Sequence, residues 1–400
     1  MTARRGAERV GAAVVLSLLV VGAVLVTVGS PAAAVADAQR SLAGFDGLSA
    51  EQDGSGVVVA VVDTGVDLDH PAFAGRLVPG WDVVDSDDRP DDPHGHGTHV
   101  AGVVAGFSGA GGSGLAPGAR IMPVRGLDAD GYGSLADIGA GIEWAADHGA
   151  TVINLSFGDS GRLDRIRKSG PVAAAIRKVS DRAVVVVAAG NDSQFEQIFR
   201  ASVPALVVVA VDDAAGPAEF TNVGDPRAIA APGVEVLSTA PVDPSTLFPD
   251  GTSGAAALSG TSMAAPFVSA AAAVLLQAGA PPATVAELLR DTAQPNGDPR
   301  TGAGVLDAAA AVAAVPASPG TPATPSPSPA DSPAAPTVPA PADTSAEPSP
   351  SSTDGPLASP DASGEDPDNR GLSATTTALL AIGLLALVTV LAAVYAARRR

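Results

Sequence analysis

Five short, almost purely apolar runs mark the middle of the chain: VVVAVVD at 57–63, ARIMPVR at 119–125, TVINLSF at 151–157, AVVVVAAG at 183–190 and ALVVVAVD at 205–212. They are continuous, not alternating, and rich in β-branched residues, which predicts strands covered on both faces. Between and after them the spacing predicts helices over 98–105, 135–148, 171–180, 261–277 and 284–292. Strand and helix in alternation predict an α/β fold in three layers, with a mainly parallel central sheet flanked by helices. Working groups in such sheets gather at the carboxyl ends of strands. Asp63, Ser156, Gly158 and Asn191 fall there.

Both ends of the 400 residues depart from this pattern. Residues 1–36 open with Arg4, Arg5 and Arg9, continue through an apolar run at 10–28, and finish in small residues suited to cleavage after Ala34 or Ala36. That is the layout of a secretory signal peptide. A short extension occupies 37–52, and the region 53–314 is long enough to carry one sizeable core. Residues 315–371 are rich in Pro, Ala, Ser and Thr, cannot bury a core, and predict a disordered linker reaching roughly 150 Å at about 3.1 Å per residue. The nearly uncharged stretch at 372–397 is long enough for one transmembrane helix, and the basic tail Arg398, Arg399 and Arg400 is expected to stay cytoplasmic. The expected location is therefore the cell membrane, with a single C-terminal span and the 53–314 region extracytoplasmic.

Charge and cysteine content narrow the chemistry. A formal net charge of −20 argues against nucleic acid as a partner. With no cysteine, the chain has neither a disulfide framework nor a thiol nucleophile.

The segment DPHGHGTHVAG at 92–102 places three of the five histidines within six residues. Zinc is a poor fit, because Thr98 stands where an acid ligand belongs and His148 is the one histidine that follows His99. A helix starting near Thr98 puts His96 at its entrance, free to face a cleft. His99, among Ala101, Gly102 and Ala105, reads as a satisfied core histidine, and His94 as a loop residue. Asp63 ends the first strand in VVDTGVD; an aspartic protease needs two such carboxylates sharing a proton, and no second Asp-Thr-Gly exists. Ser262 opens an Ala-rich helix in LSGTSMAAPF, where free N–H groups favour developing negative charge. Taken singly, Asp63 also reads as a turn cap, Ser262 as an N-cap and Asn191 as a turn residue. Together, Asp, His, Asn and Ser in this order make a complete nucleophilic constellation.

The phrases VAVVDTGVD, HGTHVAG, VVVAAGN and GTSMAAP closely resemble those of the subtilisin-like serine proteases, in the same chain order and across 53–314. The resemblance implies a subtilisin-like fold, with Ser262 as nucleophile, His96 as general base and Asp63 as its orienting carboxylate. Asn191 is then the oxyanion donor beside the Ser262 N–H. A protein or peptide substrate is expected to lie as a strand between Ser156-Phe157-Gly158 and Gly131-Tyr132-Gly133, with Ala188, Ala189 and Gly190 lining the primary pocket. No metal or cofactor is expected. The DADGYG stretch lacks the spacing of a calcium loop. Ala72 and the side chains of 106–114 also lack the ligands by which many members hold calcium. Signal peptide, short extension, catalytic core, Pro-rich spacer and C-terminal span together resemble the mycosins, proteases that accompany type VII secretion. That implies a type VII secretion membrane complex as a partner.

Overall fold

Unbroken apolar runs become the centre of the sheet. The computed structural model describes residues 31–106, 114–157, 170–195 and 202–316. Its strands β1 (Val58–Asp63), β2 (Trp81–Asp82), β3 (Arg120–Arg125), β4 (Val152–Leu155), β5 (Val184–Ala188), β6 (Ala205–Val211) and β7 (Ile229–Pro232) join one seven-stranded sheet. The order is β2-β3-β1-β4-β5-β6-β7, and every neighbouring pair is parallel. Strands β5 and β6 are buried at every position, which is why their sequences do not alternate.

Successive side chains of a strand point to opposite faces, and β1 shows the result. Val59 and Val61 pack into a core with helices α2 (His96–Ala105) and α5 (Thr261–Gln277). Ala60 and Val62 pack into a second core with helices α3 (Leu135–Asp147) and α4 (Pro171–Val179). The expected three layers are thus present. Helix α5 is buried at every residue from Thr261 to Leu275, so its apolar character reflects a position inside the protein. Among the described residues no single helix is long and apolar enough to cross a membrane. The apolar run at 10–28, the linker from 317 onward, the span at 372–397 and the tail at 398–400 lie outside the described residues.

The elements differ from the pattern-based expectation in a few places. Helix α2 begins at His96, two residues early, after Gly95 turns with φ 101°. Helix α6 (Pro282–Asp291) begins at a proline, whose missing N–H costs nothing in the first turn. Strands β2 and β7 and the antiparallel pair β8 (Val236–Thr239) and β9 (Ala255–Leu258) were not expected. None exceeds four residues, too short to show a period.

Helices α1 (Pro31–Leu42) and α7 (Ala308–Ala313) were also unforeseen, and the chain between α1 and β1 packs onto the domain. Phe45 is fully buried, the Ala43 carbonyl accepts the Ala308 N–H, and Gln39 donates to the Val234 carbonyl. Farther along, Gln277 Nε2 donates to the Glu51 carbonyl while its Oε1 accepts the Gly54 N–H. Gln277 ends α5 and Ser262 is its second residue, about 22 Å apart at 1.5 Å per residue. Residues 51–54 therefore lie at the end of α5 remote from Ser262.

Candidate active site

Asp63 is the last residue of β1 and is fully buried. Its Oδ1 accepts the Thr64 N–H at 2.8 Å and faces His96 Nδ1 at 2.7 Å. A carboxylate oxygen can only accept, so Nδ1 carries the proton and Nε2 of a neutral imidazole keeps its lone pair. Two glycines permit this approach of helix to strand end. A Cβ on Gly97 would sit 2.1 Å from the Gly65 carbonyl oxygen, and one on Gly65, at φ 109°, would sit 2.2 Å from that of Asp91.

The start of α2 is organised by a residue that the motif reading passed over. Asp92, 8 % exposed, accepts hydrogen bonds from the N–H groups of His94, Gly95 and Thr98 and from the hydroxyls of Thr64 and Thr98, at 2.6 to 3.1 Å. Thr64 Oγ1 in turn accepts the Gly97 N–H. One carboxylate thus ties the strand end bearing Asp63 to the helix end bearing His96, where the helix dipole favours negative charge. Its signal was an acid four residues before the histidine.

The three histidines of the segment differ by environment. Burial opposes protonation of His96, but the Asp63 carboxylate, by charge and hydrogen bond, outweighs it and raises the pKa above the ordinary value. The His96 side chain keeps 19 % exposure, enough to face a cleft. His99 is fully buried, faces the Ala256 carbonyl through Nε2 at 3.1 Å, and is pushed by burial down to about 3. It is a core histidine, as expected, though Nε2 alone of its ring nitrogens makes a hydrogen bond. His94 lies in the loop before α2, with its ring 6.2 Å from that of His96. Burial, and then the neighbouring His96, lower its pKa. Its Nε2 lies 3.4 Å from where a Gly131 side chain would begin. The ring therefore sits between His96 and the Gly131 turn.

Ser262 is the second residue of α5 and 6 % exposed. Asn191 reaches the same helix end from the loop after β5. Its Oδ1 accepts both the N–H and the hydroxyl of Thr261, at 2.9 and 3.0 Å, and that hydroxyl accepts the Gly190 N–H. With Oδ1 so engaged, the Nδ2 group is the donor left to Asn191. A side chain on Gly260 would begin 3.3 Å from Asn191 Nδ2 and 3.7 Å from the Ser262 nitrogen. Two N–H donors thus border one space, kept open because residue 260 is glycine. Thr261, which sets the amide orientation, was not singled out in the sequence.

The expected substrate edges are placed in part. Ser156 is fully buried and Phe157 half-buried, while Gly158 lies outside the described residues. In the other expected edge, Tyr132 is 65 % exposed, yet its N–H and carbonyl bond to Asp128 within the turn that Gly131 and Gly133 flank. Ala188 and Ala189 are buried at the end of β5, and the Gly190 carbonyl accepts the Asn222 N–H. Among the described residues no group of three or more His, Cys, Asp or Glu is placed to hold a metal ion.

A profile of the subtilase family matches residues 54–355. Thermitase of Thermoactinomyces vulgaris is 38 % identical over 244 residues, covering 60 % of this chain and 82 % of thermitase. The thermophilic serine proteinase of Bacillus sp. (strain AK1) is 40 % identical over 242 residues, covering 60 % of this chain and 57 % of that protein. Among solved structures, a protease from Pseudoalteromonas arctica PAMC 21717 superposes with a TM-score of 0.57 at 31 % identity, covering 70 % of this chain and 97 % of the other. The MycP3 protease from the type VII (ESX-3) secretion system superposes with a TM-score of 0.56 at 30 % identity, covering 69 % and 87 %.

Proposed function

The chain belongs to the subtilase family and is a subtilisin-like serine endopeptidase, and from that premise we propose that Asp63, His96 and Ser262 form its triad on a membrane-anchored protease of the mycosin type. The observation that carries the triad is the buried Asp63 carboxylate bonded to His96 Nδ1, which leaves Nε2 as the base.

The proposed triad acts in two stages, acylation and deacylation. Ser262 Oγ attacks the scissile carbonyl as His96 Nε2 takes its proton, and the imidazolium formed is stabilised by Asp63. Negative charge collects on the former carbonyl oxygen, which Asn191 Nδ2 and the Ser262 N–H receive. His96 then returns the proton to the leaving amine, giving an acyl-enzyme. Water, deprotonated by His96, releases the second product and restores Ser262. The substrate pairs as a strand with the backbone at 156–158 and 131–133, so main-chain bonds give affinity with little side-chain selectivity.

The anchored, secretion-linked role is supported by the likeness to MycP3 and by the order of signal peptide, core, Pro-rich linker, apolar span and Arg tail. A degradative cell-surface role is the second reading, favoured by the likeness to thermitase and to fervidolysin, the latter a keratinolytic enzyme.

Fluorophosphonate labelling of the full-length protein, beside Ser262→Ala and His96→Ala, tests the triad. The parent should react and both variants should not; a folded parent that stays unlabelled overturns the assignment and favours a structural role in a complex. For the secretion role, deleting the protein should silence a type VII system in its host, and undisturbed secretion would rule that role out.

A further inference from the structure

Helix α5 contains Pro266, four residues after Ser262. In an α-helix the N–H of residue i+4 donates to the carbonyl of residue i, and proline has no N–H to give. The carbonyl of the nucleophile therefore lacks its ordinary helical donor. It is satisfied from outside the helix: Ser156 Oγ donates to the Ser262 carbonyl oxygen at 2.8 Å.

That hydroxyl is itself held. Asn154 Nδ2 donates to Ser156 Oγ at 2.8 Å, and Ser269 Oγ donates to Asn154 Oδ1 at 2.8 Å. Asn154, Ser156 and Ser269 are fully buried. The chain of bonds leaves α5 at Ser269, crosses to the end of β4 through Asn154 and Ser156, and returns to α5 at Ser262. Each hydroxyl has one available proton, and each bond here uses it in one direction, so the relay is self-consistent and its members polarise one another.

We infer that Ser156 is a positioning residue for the nucleophile: its hydroxyl supplies the donor that Pro266 withholds and so fixes the first turn of α5 against the sheet. The backbone of Ser156 also begins the proposed substrate edge. One residue then sets the distance between the bound peptide and the attacking oxygen, a coupling that a helix closed by its own hydrogen bonds does not provide. This rests on Ser262 being the nucleophile.

The test is a double-mutant cycle in the full-length protein, with Ser156→Ala made in the parent and in a Pro266→Ala background. Alanine at position 266 restores the N–H that can reach the Ser262 carbonyl. In the parent, Ser156→Ala should lower kcat by about 10- to 100-fold, the scale of a misplaced reacting group, with KM little changed. In the Pro266→Ala background the same change should cost less than about 3-fold, because contacting residues are not additive. Equal losses in both backgrounds, or no loss in the parent, would overturn the inference. Where Ser156→Ala does not fold, Ser269→Ala replaces it, with a smaller loss expected and the same suppression required. Thermal unfolding of the four proteins gives a readout independent of catalysis. Tm should fall on Ser156→Ala in the parent and barely move in the Pro266→Ala background, and an equal fall in both sinks the contact even if the parent proves unreactive.

Discussion

His96 Nδ1 lies 2.7 Å from Oδ1 of a fully buried Asp63, a contact that fixes the tautomer of the imidazole and, against the effect of burial, helps to raise its pKa. The pKa is raised, so His96 holds its proton to a higher pH than a free imidazole, and in the proposed triad it can accept a proton only above that point. The acid limb of kcat/KM should accordingly lie above about 6.5, the ordinary histidine value. Asp63→Asn should lower kcat by about 10⁴-fold and move the residual limb downward. A limb that stays in place would show that another group titrates.

Asn191 is aimed by Thr261. Removing an oxyanion donor costs about 100- to 1000-fold in kcat, a magnitude established on this family's asparagine. Asn191→Ala should fall in that range. Thr261→Val removes the hydroxyl that accepts from Gly190 and donates to Asn191. A loss of about 10-fold or more in kcat is expected, from misplacement alone. Thr261→Ser should restore it; failure of the serine to rescue would assign the loss to packing.

Asp92 collects five hydrogen bonds at the start of α2. In Asp92→Asn one acceptor oxygen becomes an NH₂ facing donors, and leaving such buried groups unpaired costs about 1–3 kcal/mol each. Chemical denaturation should show a loss of that order, with kcat reduced because His96 and Asp63 lose their common tie. Unchanged stability would mean that the loop re-forms around the amide.

His99 should make the protein acid-sensitive. Its pKa falls from 6.5 to about 3 on burial in the folded chain. Above 6.5 it is neutral in both states and contributes no pH dependence. Between 6.5 and 3 the unfolded chain binds a proton that the native chain refuses, so stability falls with falling pH, by up to about 1.4 kcal/mol per unit. His99→Gln, whose amide can still donate to the Ala256 carbonyl, should flatten that part of a stability curve measured against pH. A curve that keeps its slope would place the titration elsewhere.

The strand runs and the four motif phrases carried the sheet, its parallel sense, and the placement of Asp63 at a strand end, Asn191 after a strand and His96 and Ser262 at helix starts, because each follows from neighbours in the chain. An unbroken Val run is legible as a strand buried on both faces, and a Ser after Gly-Thr at the head of an Ala-rich helix is legible as a helix start. The short strands β7, β8 and β9 were not legible, since four residues do not establish a period and their burial depends on what covers them. Nor were the roles of Asp92, Thr261 and Ser156. Their hydrogen bonds include partners 28, 71 and 106 residues away, respectively. Local sequence can specify which side chain stands at a strand end or a helix start. Only the packing of α2 and α5 against that sheet decides which buried donor meets which acceptor, because hydrogen bonding requires close approach and direction that no local pattern encodes.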